Sequence, residues 1–245
     1  MPLRGKIVLV TNVTRFAGRA ATRMAQAQGA SVVVTDESFA EAKARKAWQA
    51  EFAGSTALAE SEPGPVAAAV MARHGRIDAL VNNDAWPAQR APLVEARLDD
   101  YRAAFETMAV RPFALTQSVV PHMRAGGRGG KVLFVSSAAP LRGIANYSMY
   151  VSARAATNGL VSSLAKELGR DGITVNALGS NYVENPDYFP PALLADKAAM
   201  SKMTAQIPLG RLGRPEEIAA TICFLISDGA GFITGHVLPH AGGWA

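Results

Sequence analysis

The sequence predicts one α/β domain whose parallel, seven-stranded sheet is flanked by helices. Short runs rich in valine, leucine and isoleucine alternate along the chain with alanine-rich segments of helical character. Most of these runs are continuously apolar, a pattern typical of parallel strands that are buried on both faces. The length of 245 residues suits one domain, and no repeat or linker divides the sequence. We therefore expect residues 1–245 to form a single doubly wound domain.

The first half of the chain contains four predicted strands. A β-rich run at 6–11 precedes an alanine-rich helix at 17–28, which Gly29 ends. The other predicted elements of this half are strands at 31–35, 56–59 and 77–82 and helices at 41–52, 65–74 and 98–123. This alternation predicts consecutive β-α units.

The second half continues the alternation and supplies the fifth strand, at 131–136, which places Ser137 at its carboxyl end. A helix at 148–168, a strand at 173–178, a long irregular proline-rich segment, a helix after Pro215 and a last strand near Val237 follow. Ligands of doubly wound sheets bind beyond the carboxyl ends of the strands. The polar residues at those ends are Thr11, Asn82, Ser137 and Ser180.

Composition and charge exclude several classes of function. The net charge of +5 comes from scattered lysines and arginines, so we expect no nucleic-acid partner. Cys223 is the single cysteine, which excludes an intramolecular disulfide and fits a reducing compartment. No apolar run has the length of a membrane span or of a signal-peptide core. We expect a cytoplasmic protein without membrane contact.

The four histidines also lack the spacing of metal ligands, which predicts no metal site. They are His74, His122, His236 and His240.

One constellation resembles the signature of the short-chain dehydrogenase/reductases. Ser137 is followed by Tyr150 and Arg154 at the spacing of that family's Ser and Tyr-x-x-x-Lys, with arginine in place of lysine. Further matches run along almost the whole chain: Ile77-Asp-Ala-Leu-Val-Asn-Asn, Phe113-Ala-Leu-Thr-Gln, Gly172-Ile-Thr-Val-Asn-Ala, Pro208-Leu-Gly-Arg-Leu-Gly-Arg-Pro-Glu-Glu and Gly242-Gly243. The resemblance implies a Rossmann-like fold.

The loop after the first strand departs from that family. A dinucleotide-binding member carries Thr-Gly-x-x-x-Gly-x-Gly there, because glycines let the backbone approach the pyrophosphate. Here Asn12 and Phe16 replace two of the three glycines, and the phenyl ring would project into the dinucleotide volume. The family's Asn-Asn-Ala-Gly turn is Asn82-Asn-Asp-Ala85, and its relay asparagine falls at Met108. We expect no cofactor.

Asp36 has two interpretations. It lies where the family places the acid that binds an adenosine ribose. With the phosphate cradle lost, we favour a cap formed by Asp36 and Ser38 before the next helix.

The combined pattern resembles the halohydrin dehalogenases, a cofactor-independent branch of the same family. It consists of the altered glycine loop, the Ser-Tyr-Arg set and a Gly-Ser-Asn-Tyr loop after strand six. The resemblance implies that a vicinal haloalcohol is closed to an epoxide with release of halide. The reverse reaction would open an epoxide with halide, azide, cyanide or nitrite. It also implies a homotetramer whose helices at 98–123 and 148–168 lie at an interface, against the alternative of a monomer.

The residue types suit this chemistry. A phenol has a pKa near ~10, and a fixed cation one helical turn away favours its deprotonated form. We therefore predict Tyr150 as the base, Arg154 as its activating cation and Ser137 as the group that orients the substrate oxygen. Serine donates a hydrogen bond here and makes no nucleophilic attack.

The remaining predicted site residues form the halide and substrate pocket. Backbone N–H groups around Asn181 and Tyr182, beside Ser180, are candidate halide donors, and Phe16 is a candidate wall. Trp86, Tyr188 and Phe189 are predicted on the substrate side. Alternatively, Phe16 is an ordinary core residue, and the tyrosines and Phe189 only pack a loop. Trp244 could approach its own or a neighbour's site, and 185–199 is expected to influence substrate choice.

Two other functions fit parts of the sequence. One is an NAD(P)-dependent reductase with an unusual cofactor loop, and the other is a non-catalytic binding or regulatory member. The intact Ser137, Tyr150 and Arg154 set argues against the second.

Overall fold

The computed structural model describes residues 3–245, and seven of its segments form one parallel sheet. The strands are β1 (Ile7–Val10), β2 (Ser31–Val34), β3 (Thr56–Ala57), β4 (Ala79–Asn82), β5 (Gly130–Ser137), β6 (Ile173–Ser180) and β7 (Val237–His240). Their order in the sheet is β3-β2-β1-β4-β5-β6-β7, and every neighbouring pair is parallel. The order changes direction between β1 and β4, which opens a crevice at their carboxyl ends. The predicted doubly wound α/β fold is confirmed.

Within residues 3–245, ten α-helices connect and cover the strands. They are α1 (Gly18–Ala27), α2 (Ala42–Glu51), α3 (Pro63–His74), α4 (Leu98–Phe105), α5 (Arg111–Ala125), α6 (Ala139–Arg142), α7 (Ser148–Leu168), α8 (Pro191–Ala195), α9 (Lys197–Thr204) and α10 (Pro215–Leu225). In the described residues no helix is both long and apolar enough to cross a bilayer.

The continuous apolar strands separate two hydrophobic cores, one on each face of the sheet. Val8 and Val10 of β1 belong to the core on the side of α1 and α10, whereas Leu9 between them belongs to the opposite core. Successive strand side chains point to opposite faces, so both faces must be apolar where both are covered. This geometry explains the continuous runs in the sequence.

The structure corrects two predicted elements. The helix predicted at 98–123 is α4 and α5 joined by a π-helical turn at Glu106–Val110. A single π turn within a helix is rare, and a change of phase confined to five residues is too short for sequence periodicity to identify. The segment predicted as irregular contains α8 and α9, because Pro191 starts one helix and the Asp196 carboxylate caps the next.

Candidate active site

Ser137 ends β5 and lies beside Ser180 at the end of β6. Its Oγ accepts a hydrogen bond from the backbone N–H of Ala139 at 3.0 Å. This contact uses a lone pair of the oxygen and leaves the hydroxyl hydrogen available for a substrate oxygen. Ser180 donates its own hydroxyl to the Ser136 carbonyl at 2.9 Å, so it braces the two strand ends.

Tyr150 and Arg154 lie one turn apart on α7, as predicted. The Arg154 Cζ is 5.5 Å from the centre of the Tyr150 ring, and one Nη atom donates to the Val135 carbonyl at 3.0 Å. Burial alone would lower the pKa of Arg154, but attraction to the Tyr150 and Tyr188 oxygens outweighs it and raises that pKa. Arg154 is therefore a fixed cation. Its buried Nε has no acceptor among residues 3–245.

A second tyrosine, Tyr188, lies near Tyr150 and Arg154. Its hydroxyl donates to the Trp86 carbonyl at 3.1 Å, and its ring meets the Phe16 ring edge-on at a centroid distance of 6.0 Å. Burial, and then the nearby Tyr150, raise the pKa of Tyr188 well above its ordinary value. Tyr188 is consequently a neutral donor.

These side chains border a cavity of about 280 Å³. Nine of the ten predicted site residues line it: Phe16, Ser137, Tyr150, Arg154, Ser180, Asn181, Tyr182, Tyr188 and Phe189. The sequence interpretation did not name five larger lining residues, which are Ile144, Tyr147, Val183, Asn185 and Met203. Ile144 and Tyr147 precede Tyr150 closely enough to have been suspected. Met203, on α9, gave no signal because its helix was not predicted.

Trp86 does not line this cavity. It borders a larger adjacent one of about 630 Å³, and its side chain packs against Ala104, Met108 and Ala153 together with Tyr150. The prediction that it shapes the substrate side therefore needs correction. Trp86 contributes its carbonyl to Tyr188 and belongs to the apolar cluster that contains Tyr150.

The two positions that lost glycine keep the backbone conformation that glycine favours. Asn12 has φ of 45° and Phe16 has φ of 39°, both in the left-handed region. Such a conformation costs a non-glycine residue about 1–2 kcal/mol. The third glycine remains, because a Cβ on Gly18 would lie 2.4 Å from the Val13 Cα.

The residues around this loop do not fit a dinucleotide. Phe16 puts its ring toward Tyr188, and its backbone N–H donates to the Asp187 carboxylate at 2.7 Å. Asp36 accepts the N–H and the hydroxyl of both Thr14 and Ser38, so the predicted cap is present and its oxygens are occupied. A pyrophosphate and a ribose would have to displace these contacts.

The two backbone N–H groups predicted to bind halide, those of Asn181 and Tyr182, already donate hydrogen bonds within the protein. The Asn181 N–H donates to the His240 carbonyl at 3.2 Å and is held in the strand pairing, so the prediction of this group as a donor is wrong. The Tyr182 N–H donates to the Asn181 Oδ1 at 3.0 Å. A rotation of the Asn181 side chain would release the Tyr182 N–H. Tyr182 has φ of 54°.

Trp244 packs against its own chain behind this loop. Its ring lies edge-on to Tyr182 at 5.7 Å, and the Arg142 Cζ is 4.7 Å from its centre. Arg142 also donates to the Trp244 carbonyl at 2.7 Å. The C-terminal segment therefore supports the loop that carries Tyr182.

Asp84 is a buried acid next to the site and borders the adjacent 630 Å³ cavity; the sequence interpretation noted it only as a changed turn. It is buried, and its carboxylate accepts from the Asn12 amide at 2.5 Å and from the Thr11 hydroxyl at 3.4 Å. Burial raises the pKa of Asp84 to about 6, although attraction to Arg154 and Arg111 opposes the rise. The signal available in the sequence was an acid in a turn that otherwise carries alanine.

The chain is similar to a protein family, to curated proteins and to solved structures. The model of the family described as enoyl-(acyl carrier protein) reductase matches residues 16–245. The 3-oxoacyl-[acyl-carrier-protein] reductase FabG of Thermotoga maritima is 32% identical over 259 aligned positions, which cover 99% of each chain. A solved structure named as a dehalogenation enzyme is 66% identical, covers 100% of both chains and has a TM-score of 0.97. The structure of halohydrin dehalogenase HheC bound to ethyl (2S)-oxiran-2-ylacetate is 31% identical, covers 97% of this chain and 96% of its own, and has a TM-score of 0.93.

Proposed function

The chain belongs to the short-chain dehydrogenase/reductase family, and we propose that within it the protein is a halohydrin dehalogenase. One observation carries the proposal: Ser137, Tyr150 and Arg154 border a small cavity that is also lined by Phe16 of the altered glycine loop. The similarity to a dehalogenation enzyme at 66% identity supports the same activity.

The first step is capture of a vicinal haloalcohol by its hydroxyl group. Ser137 already accepts the Ala139 N–H, so its hydroxyl donates to the substrate oxygen. Tyr150 acts as the base, and the neighbouring Arg154 guanidinium stabilises the phenolate. The neutral Tyr188 hydroxyl lies in the same cavity and keeps the surroundings of Tyr150 polar.

The second step closes the epoxide. The substrate O–H bond breaks, and its proton passes to the Tyr150 oxygen. The resulting electron pair on oxygen forms a bond to the adjacent carbon, while the carbon–halogen bond breaks and its electrons leave with the halide. The protein supplies orientation and charge stabilisation and forms no covalent bond to the substrate.

The halide leaves into the pocket formed by Phe16 and the loop after β6. We propose that the Tyr182 N–H binds it once the Asn181 side chain rotates away. The edges of the Phe16 and Tyr188 rings carry partial positive charge and suit a large, weakly hydrated anion. Used in reverse, the same site would deliver halide, azide, cyanide or nitrite to an epoxide.

We further propose a homotetramer that works in the cytoplasm. Val110 and Phe113 are exposed on the joined helices α4 and α5, and Phe232 and Leu238 are exposed near β7. Apolar groups in two separate regions would suit two kinds of interface. The protein's mass in solution, measured by analytical ultracentrifugation, tests the tetramer.

The function is tested by release of bromide from a small vicinal bromoalcohol without added nucleotide. We expect epoxide and bromide in equal amounts. A parallel assay supplies NADPH and a 3-oxoacyl thioester. It tests for the reductase activity that the FabG relative's name gives. Oxidation of NADPH without bromide release would contradict the proposal, and inactivity in both assays would favour a binding role.

A further inference from the structure

Asp187 joins two segments that are 171 positions apart. Its carboxylate accepts the backbone N–H of Phe16 at 2.7 Å, and its other oxygen accepts from Arg15 at 3.0 Å. The Arg15 side chain is 62% exposed, whereas that of Asp187 is 21% exposed. Both contacts lie near the surface, and an ion pair with so exposed an arginine is expected to contribute little.

A tight turn fixes Asp187 beside the substrate cavity. The side-chain Oδ1 of the buried Asn185 accepts the N–H groups of Asp187 and Tyr188, each at 3.0 Å, and the backbone carbonyl of Asn185 accepts the N–H of Phe189. The turn therefore presents three successive side chains. Asp187 reaches the loop before α1, whereas Tyr188 and Phe189 line the cavity.

The position of this carboxylate has a physical reason. A loop that leads into a helix N-terminus offers backbone N–H groups and the positive end of the helix dipole to an anion. The first turn of α1 contains no acidic residue of its own. Asp187, which lies 171 positions further along the chain, supplies that anion to the Phe16 N–H.

We propose that Asp187 is a positioning residue of the halide pocket. Its carboxylate holds the strained Phe16 backbone, and its turn holds Tyr188 against the Phe16 ring. The two aromatic walls therefore keep a fixed separation. This inference rests on the proposed dehalogenase function. Because Asp187 touches Phe16 and Arg15 and lies outside the lining of the catalytic cavity, it should govern halide and substrate affinity more than the chemical step.

The test compares D187A, D187N and R15A. The measurements are kcat and KM for a bromoalcohol, bromide affinity from line broadening of the bromide NMR signal, and thermal melting. For D187A we expect KM and the bromide dissociation constant to rise about tenfold or more, with kcat within about threefold of wild type. D187N keeps an acceptor for the Phe16 N–H but loses the negative charge, so its constants should fall between those of wild type and D187A. R15A removes only the exposed ion pair and should stay within about threefold of wild type in every constant.

Three outcomes would overturn the inference: unchanged bromide affinity in D187A, an equal loss in D187A and R15A, or a fall confined to kcat. Asp187→Leu keeps the branching at Cγ without an acceptor and carries the same expectation if D187A fails to fold. Absence of wild-type turnover would contradict the proposed function itself. Wild-type turnover with unaltered bromide binding in D187A contradicts only the role of Asp187.

Discussion

The guanidinium carbon of Arg154 lies 5.5 Å from the centre of the Tyr150 ring, and the arginine is fixed by the Val135 carbonyl of the interior strand β5. The helix spacing of four residues brings the two side chains together, and the strand sets the height of the cation above the ring. A base and its counter-charge are thus held by two different elements of the fold.

Replacement of Tyr150 by phenylalanine removes the proposed base and keeps the ring. We expect kcat for bromide release to fall by about 10³-fold, within the range that a positioned base contributes. The melting temperature should stay within a few degrees, because the ring still packs in the cluster with Trp86 and Met108. Bromide affinity should also persist, and retained turnover would remove Tyr150 from this role.

Arg154→Lys tests the activating cation. Lysine is a single-point donor that cannot place a planar guanidinium over the ring, so it should stabilise the phenolate less. The acidic limb of the pH-rate profile should then move to higher pH, with reduced activity near neutrality. The profile of kcat/KM from pH 6 to 10 measures this shift. An unchanged limb would assign Arg154 to binding or folding alone.

Asp84→Asn should stabilise the protein at neutral pH. The carboxyl loses its proton near pH 3.8 when exposed and near 6 in the folded chain, so the folded state loses stability as pH rises between these values. Above pH 6 the full cost is about 3 kcal/mol. D84N should therefore gain about 2–3 kcal/mol in the free energy of unfolding at pH 7.5 and little at pH 4, measured by urea denaturation at one protein concentration.

Asp228 is the matched control for that measurement. Asp228 is exposed, and its hydrogen bond with Lys6 lowers its pKa. Ionisation of Asp228 therefore stabilises the folded state, whereas ionisation of Asp84 destabilises it. D228N should lose a small amount of stability at pH 7.5 and none well below the lowered pKa. A D84N variant that is less stable than wild type at pH 7.5 would show that the Asn12 and Thr11 contacts outweigh burial of the charge.

At position 16 we expect glycine to give a more stable protein than alanine, which is the reverse of the usual order. Both F16A and F16G lose the ring contact with Tyr188 and should weaken bromide binding. At φ of 39°, however, alanine keeps the strain and glycine removes it. We expect F16G to be more stable than F16A by up to about 1 kcal/mol in urea denaturation. The opposite order would mean that the backbone relaxes when the ring is removed.

Gly18→Ala should destabilise the protein by about 1–3 kcal/mol, because the new Cβ would lie 2.4 Å from the Val13 Cα. Gly169, which follows α7 with a right-handed helical φ of −60°, serves as the control, since a Cβ added there would have no heavy atom of residues 3–245 within 4 Å beyond its chain neighbours and local helix backbone. G169A should gain up to about 1 kcal/mol, because alanine lowers the conformational entropy of the unfolded chain. Equal effects of the two substitutions in urea denaturation would contradict the close approach at Gly18.

Much of the fold was predictable because its signals are local. Continuous apolar strands such as β5, the glycine that ends the first helical segment and the spacing of Tyr150 to Arg154 depend on neighbours within a few residues. The π turn around Met108 was not predictable, since it spans only five residues and a change of phase over so short a stretch cannot be separated from ordinary variation in residue type. The helix α9 was hidden in a proline-rich segment whose start depends on a cap by Asp196.

The sequence by itself determined the doubly wound sheet, the Ser137, Tyr150 and Arg154 set and the loss of two glycines after β1, because each is written in short-range spacing and residue type. Only the tertiary structure decided that Asp187 holds Phe16, that Asp84 is buried near Arg154, and that the Asn181 N–H is occupied by the His240 carbonyl. These contacts join residues far apart in the chain, and their energies depend on distance and burial, which a linear pattern does not contain.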